Sequence, residues 1–379
     1  MSSAPLRVLV VDDSALFRTA IVSILNSMPD VQVVGLATHG REAIDRIEQL
    51  QPDLVTLDVE MPVLNGIETL REMRRLDLKT PTLMVSSLTQ TGAEVTVEAL
   101  FEGAFDFVHK PSGGSRAELQ QRMQEKVEAF QVSRRQHSRK AAARRSSTRA
   151  TTSETGLLPH DGTQRPPLDG VPRDAKAAAR QQATCPLIVV GASTGGPQAL
   201  RQLVGRLDSD LQTPILIVQH MPAGYTESMA KRLDSLTALQ VRETCEGAKL
   251  SEANIWVAAG GMHLGFTGSR EYTMFRGHDS PPLHGCKPAI DFTMEAAAKH
   301  FGPGVLAIVL TGMGRDGAGG CQAIRHHGGT VFAQDEETSA VYGMPKAVVQ
   351  AGAADRVLPL GRIAPAIARH LKRTHRSRV

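Results

Sequence analysis

Between residues 6 and 130 the chain repeats one pattern: a short apolar run, then a longer stretch with apolar residues at helical spacing. Leu6–Val11, Val31–Ala37, Leu54–Leu57, Thr82–Ser86 and Asp106–Val108 read as buried strands. Leu16–Met28, Arg41–Leu50, Gly66–Arg75, Glu94–Glu102 and Ala117–Gln131 read as the helices between and after them. Strict alternation of this kind predicts a parallel sheet covered by helices on both faces. The pattern stops at 131–182, a stretch of Arg, Ala, Ser, Thr, Gln and Pro with almost no large apolar residue. Such a segment buries too little surface to offset its chain entropy, so a flexible linker is expected, with Lys140–Arg145 extending the last helix.

Alternation resumes over 184–366. Leu187–Val190, Ile215–Val218, Ile255–Ala258, Val305–Leu310 and Thr330–Ala333 are strand-like. Helices are expected at Pro197–Arg206, Tyr225–Leu236, Pro288–Phe301, Gly317–His327 and Lys346–Ala351. The expected organisation is an α/β domain over 1–130, a basic linker over 131–183, a second doubly wound α/β domain over 184–366, and a basic tail over 367–379.

Charge changes the picture once it is located. The net of +4 over 379 residues hides a linker with 11 Lys and Arg against 4 Asp and Glu. The linker therefore carries +7, and the rest of the chain about −3. No apolar run approaches the ~18 residues of a membrane span. The start runs straight into a strand pattern and lacks the order of a secretion signal. The four cysteines (Cys185, Cys245, Cys286, Cys321) are scattered, with no Cys-x-x-Cys pair, which argues for reduced thiols in a cytoplasm rather than disulfides or zinc.

In an open parallel sheet the working groups gather at the carboxyl ends of the strands. Here those ends carry Asp12 and Asp13, Asp58, Ser86 with Ser87, and Lys110 with Pro111. Three carboxylates converging on one point repel one another unless a cation lies among them, and an oxygen-seeking Mg²⁺ suits them. A lysine and a hydroxyl beside them could hold phosphoryl oxygens, so the set reads as a site for placing a phosphoryl group on Asp58. Any one of these acids alone is more simply a solvated loop residue; five at matching strand ends are not.

The runs Val10-Val11-Asp12-Asp13-Ser14, Leu57-Asp58-Val59-Glu60-Met61-Pro62, Val85-Ser86-Ser87 and Phe107-Val108-His109-Lys110-Pro111 resemble the receiver domain of bacterial response regulators, a flavodoxin-like (βα)5 fold. The resemblance spans about 5–128. It implies that Asp58 is the phosphoacceptor, that Asp12, Asp13 and Asp58 hold Mg²⁺, and that Ser86 and Lys110 respond to the phosphate. It places Phe107 at the switch position.

The second domain offers a different oxygen. Gly191-Ala192-Ser193-Thr194-Gly195 fits Gly-x-Ser-x-Gly, a strand–turn–helix elbow that exposes a serine. Such turns more often bind phosphate or simply turn, so the motif alone does not settle the matter. A serine nucleophile needs a base, and Gln219-His220-Met221-Pro222 ends the next strand with one. The base needs an orienting acid. Asp316 lies in Leu310-Thr311-Gly312-Met313-Gly314-Arg315-Asp316-Gly317, whose glycines leave backbone N–H groups for an oxyanion. Asp291 and Asp335 are rival acids, Asp291 being placed to begin a helix. The chain order Ser, His, Asp differs from that of the α/β-hydrolases, which disfavours a lipase-like fold.

Gly191–Pro197, Gln219–Pro222, Leu310–Gly317 and Tyr342-Gly343-Met344-Pro345 together resemble the chemotaxis protein-glutamate methylesterase (CheB) family over about 186–365. The resemblance implies a Rossmann-like esterase domain with Ser193, His220 and Asp316 as its triad and no cofactor for the ester chemistry. Thr194 and Met313 would flank the site, stabilising the oxyanion or positioning the triad. His263 and His284–Pro288 would line the substrate groove.

The same resemblance implies a cytoplasmic, phosphorylation-activated hydrolase. It would demethylate glutamate methyl esters on methyl-accepting chemoreceptors, release methanol, deamidate receptor glutamines, and take phosphate from a CheA-type histidine kinase. The family expectation is a monomer without membrane insertion. The rival reading, in which the basic linker binds nucleic acid or the chain is a non-enzymatic signalling protein, finds no helix-turn-helix periodicity to support it.

Overall fold

The computed structural model describes residues 4–87, 90–110, 115–149 and 186–376. Its first domain holds strands β1 (Leu6–Val11), β2 (Val31–Ala37), β3 (Leu54–Asp58), β4 (Thr82–Ser87) and β5 (Asp106–Lys110). All pair in parallel, in the order β2-β1-β3-β4-β5. Helices α1 (Ala15–Asn26), α2 (Gly40–Leu50), α3 (Gly66–Arg75), α4 (Gln90–Glu102) and α5 (Arg116–Arg149) cover the faces. Local chemistry fixes their starts: Ser14 caps α1, and Asn65 with Glu68 forms a reciprocal capping box on α3.

The second domain is built on β6 (Ile188–Ala192), β7 (Ile215–Gln219), β8 (Val241–Glu243), β9 (Ile255–Val257), β10 (His263–Thr267), β11 (Met274–His278), β12 (Leu306–Val309), β13 (Thr330–Gln334) and β14 (Arg356–Leu358). Seven of these form one parallel sheet in the order β14-β13-β12-β6-β7-β9-β8. β10 and β11 form a separate antiparallel hairpin. The central strands β6 and β7 are buried along their whole length, as a sheet covered on both faces requires.

Three expectations are corrected. The expected extension of the last helix through Lys140–Arg145 is present, with α5 running to Arg149, but the segment from 131 is not a tether from its first residue: the Ser133 hydroxyl donates to the Ala340 carbonyl at 2.5 Å. The rest of the expected linker, from 150 on, lies outside the described residues, as do Pro111 and Cys185. The expected basic tail, as far as Arg376, is the second half of a helix, Leu360–Arg376, which buries Ile363, Ala366, Ile367 and Leu371 and exposes Arg362, Arg369, Lys372 and Arg373; residues 377–379 lie outside the described residues. The helix-like spacing of those four was masked by the density of charge around them. The third correction is the set of strands β8, β10, β11 and β14, all short and lacking a continuous apolar run.

The two domains share packing. Ala93, Val97 and Phe101 of α4 belong to one apolar cluster with Ala199, Leu203, Tyr225 and Met229 of the second domain. Arg201 and Gln198, on the helix Gly196–Val204, donate to the carbonyls of Phe101 and Ala104 at 2.6 and 2.8 Å. The first satisfies a carbonyl in the last turn of α4 that the helix itself leaves without a donor, and the second a carbonyl two residues beyond the helix.

Candidate active site

Asp12 and Asp58 leave the ends of β1 and β3 almost fully buried, with Asp13 exposed beside them. Ligand atoms of the three carboxylates lie within 4.8 Å of one another. Lys110 Nζ stands 2.6 Å from Asp58 Oδ2 and 3.0 Å from Asp12 Oδ2. That second contact lacks hydrogen-bond geometry, so Asp12 Oδ2 is a buried oxygen without a hydrogen-bond donor. Burial raises Asp58 to about 6 against the pull of Lys110, with Asp12 adding repulsion. A buried oxygen without a donor, among acids that repel, fits a hard divalent cation. Ser86 Oγ, on β4, shares a 2.7 Å hydroxyl–hydroxyl bond with Thr96 on α4.

Ser193 follows β6, at the turn into the helix Gly196–Val204. The turn needs glycine twice. Gly195 has φ +72°, and a Cβ on Gly196 would lie 2.0 Å from Gln219 Oε1. Gln219, the last residue of β7, donates from Nε2 to the carbonyls of Ser193 (3.0 Å) and His220 (3.3 Å). One buried amide thus ties the elbow to the strand end that carries the histidine.

His220 Nε2 donates to Asp316 Oδ2 at 2.7 Å. The same oxygen accepts the Ile290 N–H at 2.7 Å, and Oδ1 accepts those of Asp291 (2.8 Å) and Gly317 (3.0 Å). Burial works against the Asp316 charge, but His220 and these backbone donors outweigh it and hold the carboxyl below its ordinary range. Burial likewise opposes charge on His220, yet Asp316, with Cys286 behind it, pushes the ring up to about 9. Ser193, Thr194, His220, Met313 and Cys286 line one cavity of about 820 Å³. Among the described residues, Ser193 Oγ makes no hydrogen bond to His220; the ring's other nitrogen, Nδ1, faces Cys286 Sγ at 3.4 Å.

The rival acids resolve differently. Asp335 bonds Thr338, away from the histidine. Asp291 does begin a helix, Ile290–Phe301, but it also accepts the N–H groups of Gly317 (2.9 Å) and Gly320 (2.6 Å) and faces His284 Nε2 at 3.0 Å. His284–Lys287 line the cavity as expected. His263 does not: it is 1% exposed, bonds Pro281 O and Ala289 N, and stacks on Phe292. A strand-end histidine with both ring nitrogens engaged by backbone is part of the core, so the groove assignment of His263 is corrected. Tyr342–Pro345 serves the acid loop instead, with the N–H groups of Gly343 and Met344 both donating to Gly312 O.

The first domain forms the opposite wall of the cavity. Phe107, Val108 and His109 of β5 and Glu118, Arg122 and Lys126 of α5 line it. Asp106 Oδ2 accepts from the Thr194 hydroxyl at 2.6 Å and from Lys126 Nζ at 2.6 Å. Phe107 stacks on Tyr225 with centroids 5.3 Å apart and planes 11° apart. The Tyr225 hydroxyl meets His109 Nδ1 at 3.1 Å, and burial drives His109 down to about 4, so the ring is neutral there at physiological pH. Sequence reasoning missed Asp106, Tyr225 and Gln219, and placed Cys286 on the groove without its contact to His220, because each matters through a partner that only the fold brings to it.

Comparison with known proteins identifies both domains. The family model for CheB methylesterase matches residues 188–367, and that for the response regulator receiver domain matches 8–124. A protein-glutamate methylesterase/protein-glutamine glutaminase of Symbiobacterium thermophilum is 42% identical over 96% of this chain and 97% of its own length. One from Thermotoga maritima is 38% identical over 96% and 98%. A solved CheB methylesterase catalytic domain of Thermotoga maritima is 39% identical over 48% of this chain and 97% of that chain, with a TM-score of 0.46. The chain belongs to the protein-glutamate methylesterase/protein-glutamine glutaminase family, an enzyme family that joins a CheB catalytic domain to a response regulator receiver.

Proposed function

We propose that this enzyme hydrolyses glutamate methyl esters on the cytoplasmic helices of chemoreceptors and deamidates receptor glutamines, through Ser193, His220 and Asp316. The observation that carries the reading is the 2.7 Å His220–Asp316 bond in the cavity that Ser193 lines. Nε2–H points to the carboxylate, so Nδ1 is the nitrogen left to act as base. The Ser193 oxygen attacks the ester carbonyl while its proton passes to Nδ1. That proton leaves with methanol, water then attacks the acyl-serine, and glutamate is released. With a glutamine substrate the same steps release ammonia. Thr194 and Met313, which line the cavity beside Ser193, would stabilise the oxyanion or position the triad.

Asp58 is the phosphoacceptor in this reading, with Asp12, Asp13 and Asp58 holding Mg²⁺. The ion, when bound, neutralises the carboxylates and the incoming phosphoryl oxygens. Lys110 and Ser86 then hold the phosphoryl group. A histidine kinase of the CheA type is the donor, and the site of action is the cytoplasm, with the protein a monomer. No helix among the described residues is long and apolar enough to cross a membrane. Gating is supported by the receiver wall: Asp106 occupies the Thr194 hydroxyl, and α5 narrows the approach to Ser193. Phosphorylation would bias the receiver away from this arrangement and open the cavity.

The test is methanol release from methylated receptor, with and without a small phosphodonor. Wild type should release methanol faster with the donor. Ser193→Ala should release none while still accepting phosphate on Asp58. Methanol release by that variant at the wild-type rate would refute the nucleophile assignment.

A further inference from the structure

The ester mechanism leaves one thiol without a role. Cys286 lies in the loop between β11 and the helix Ile290–Phe301, half-buried, on the same cavity as Ser193. Its Sγ is 3.4 Å from His220 Nδ1. Because Asp316 Oδ2 can only accept, Nε2 carries the proton in that bond, and Nδ1 holds the lone pair on which the serine mechanism depends. The thiol, not the Ser193 hydroxyl, is what meets that lone pair.

The loop is held where it is. Leu283 and Cys286 exchange backbone bonds of 3.2 and 2.9 Å. His284 is fixed on Asp291, and Asp291 clamps the Gly317 and Gly320 N–H groups. The acid loop and the cysteine loop are thus one braced unit, and Cys286 has a set place relative to Asp316.

We propose that Cys286 is a positioning residue that occupies His220 Nδ1 in the resting enzyme and competes with Ser193 for it. The inference rests on Ser193, His220 and Asp316 being the proposed triad. In the resting pair one proton is shared between Sγ and Nδ1. Either the thiol donates to the neutral ring, or the doubly protonated ring donates to a thiolate. The Nδ1 lone pair is engaged in both. Before catalysis the proton returns to sulfur, the ring releases the thiol, and Nδ1 turns to the Ser193 hydroxyl. Sulfur forms no bond to carbon in the cycle.

The electrostatics agree. Burial disfavours the charged ring, Asp316 favours it most, and Cys286 adds to Asp316. The other ionisable groups facing the ring across the cavity are His284 and Lys287 on the cysteine loop and Glu118, Arg122, Glu125 and Lys126 on α5. None of these hydrogen-bonds to the ring among the described residues.

The experiment measures methanol release from a receptor cytoplasmic fragment, radiolabelled in its methyl esters, against pH. It compares the full-length wild type with Cys286→Ala, Cys286→Ser and Ser193→Ala. Cys286→Ala should be several-fold faster at neutral pH, with the acid limb of its kcat/KM profile about one unit lower. One unit is about tenfold more neutral imidazole at a fixed pH below the limb. Cys286→Ser should fall between, because a hydroxyl can still meet Nδ1 but does not surrender its proton. A wild-type Tm of the catalytic domain in each variant shows that its fold is intact. An unchanged rate and limb in Cys286→Ala would overturn the inference and leave the serine mechanism standing. Loss of activity in Cys286→Ala and Ser193→Ala alike would overturn it too, making the thiol a requirement rather than a competitor. An inactive Cys286→Ala beside an active Ser193→Ala would make sulfur the nucleophile, and the proposed function itself would fail.

Discussion

Asp106 of the receiver accepts the Thr194 hydroxyl at 2.6 Å, one residue beyond Ser193. Asp106 opens β5, the strand that ends at Lys110, and Lys110 is ion-paired to Asp58. Three residues of one strand therefore lie between the phosphoacceptor's partner and the residue that meets Thr194. Phe107 and His109 lie between them, packed on Tyr225 near His220. A change at Asp58 that moves Lys110 has a short, rigid route to Thr194.

Asp106→Ala should raise methanol release in the absence of phosphodonor. It removes the buried charge-assisted bond to Thr194, on the order of 1–3 kcal/mol of contact between the domains, and a Lys126 pairing within the receiver. If half of that biases the closed form, the basal rate should rise roughly 3- to 10-fold. The stimulated rate should change little, since the contact is already broken there. A basal rate equal to wild type in a folded Asp106→Ala protein would count against the latch.

Asp58→Asn should keep basal esterase activity and lose stimulation. It should also stabilise the receiver when Mg²⁺ is chelated. Asp58 is raised to about 6, above its unfolded value, mainly because burial penalises its charge. The folded state therefore prefers the neutral acid, and stability is lost as pH rises from the unfolded value through 6. At pH 8 the neutral amide should gain on the order of 1–2 kcal/mol, visible as a higher Tm of the receiver transition in EDTA. Added Mg²⁺ should raise the wild-type Tm and leave Asp58→Asn nearly unmoved. Equal Mg²⁺ shifts in both would argue that the ion binds elsewhere.

The alternation of strands and helices, and the strand-end positions of the candidate site residues, could be read from the chain, because buried parallel strands are continuous apolar runs and the sheet delivers their ends to one edge. Ser193, His220, Asp316, Asp12, Asp58 and Lys110 were found that way. What escaped was relational. Asp106 reads as an ordinary strand residue until Thr194 is brought against it. Cys286 reads as a scattered cysteine until the loop folds it onto His220. Leu360–Arg376 reads as a charged tail because one apolar stripe is diluted by seven basic residues or histidines from Arg362 on. His263 misled in the opposite direction, since a strand-end histidine looks the same on paper whether it faces a cavity or the core.

Gln219→Leu should separate binding from chemistry. The amide holds the Ser193 and His220 carbonyls from inside the fold, and leucine leaves both without that donor. The Ser193 carbonyl keeps the Gly196 N–H at 2.7 Å, and leaving the His220 carbonyl unpaired costs roughly 1–3 kcal/mol at most. The elbow should drift relative to the histidine, and misplacement of order 1 Å can cost about 10²-fold. kcat for methanol release should fall on that scale with KM nearly unchanged, because the cavity wall facing the receptor is untouched. A rise in KM at constant kcat would place Gln219 in substrate binding instead.

The His220–Asp316 bond sets stability and activity against each other across the alkaline range. The folded His220 is pushed up to about 9, above its unfolded value of 6.5, against burial and chiefly by Asp316. Below pH 6.5 the ring is protonated in both states and the pair contributes fully. As pH climbs through 9 the folded ring loses its proton and the contribution fades. The loss is on the order of 1–3 kcal/mol, seen as a falling Tm of the catalytic domain between pH 6.5 and 9.5. Over the same interval the ester rate should climb, because only the neutral ring can take the Ser193 proton. His220→Gln should be inactive and should lose most of this pH slope in Tm. Identical slopes in the two proteins would mean that another group titrates there, and that the bond to Asp316 does not hold the ring in its charged form.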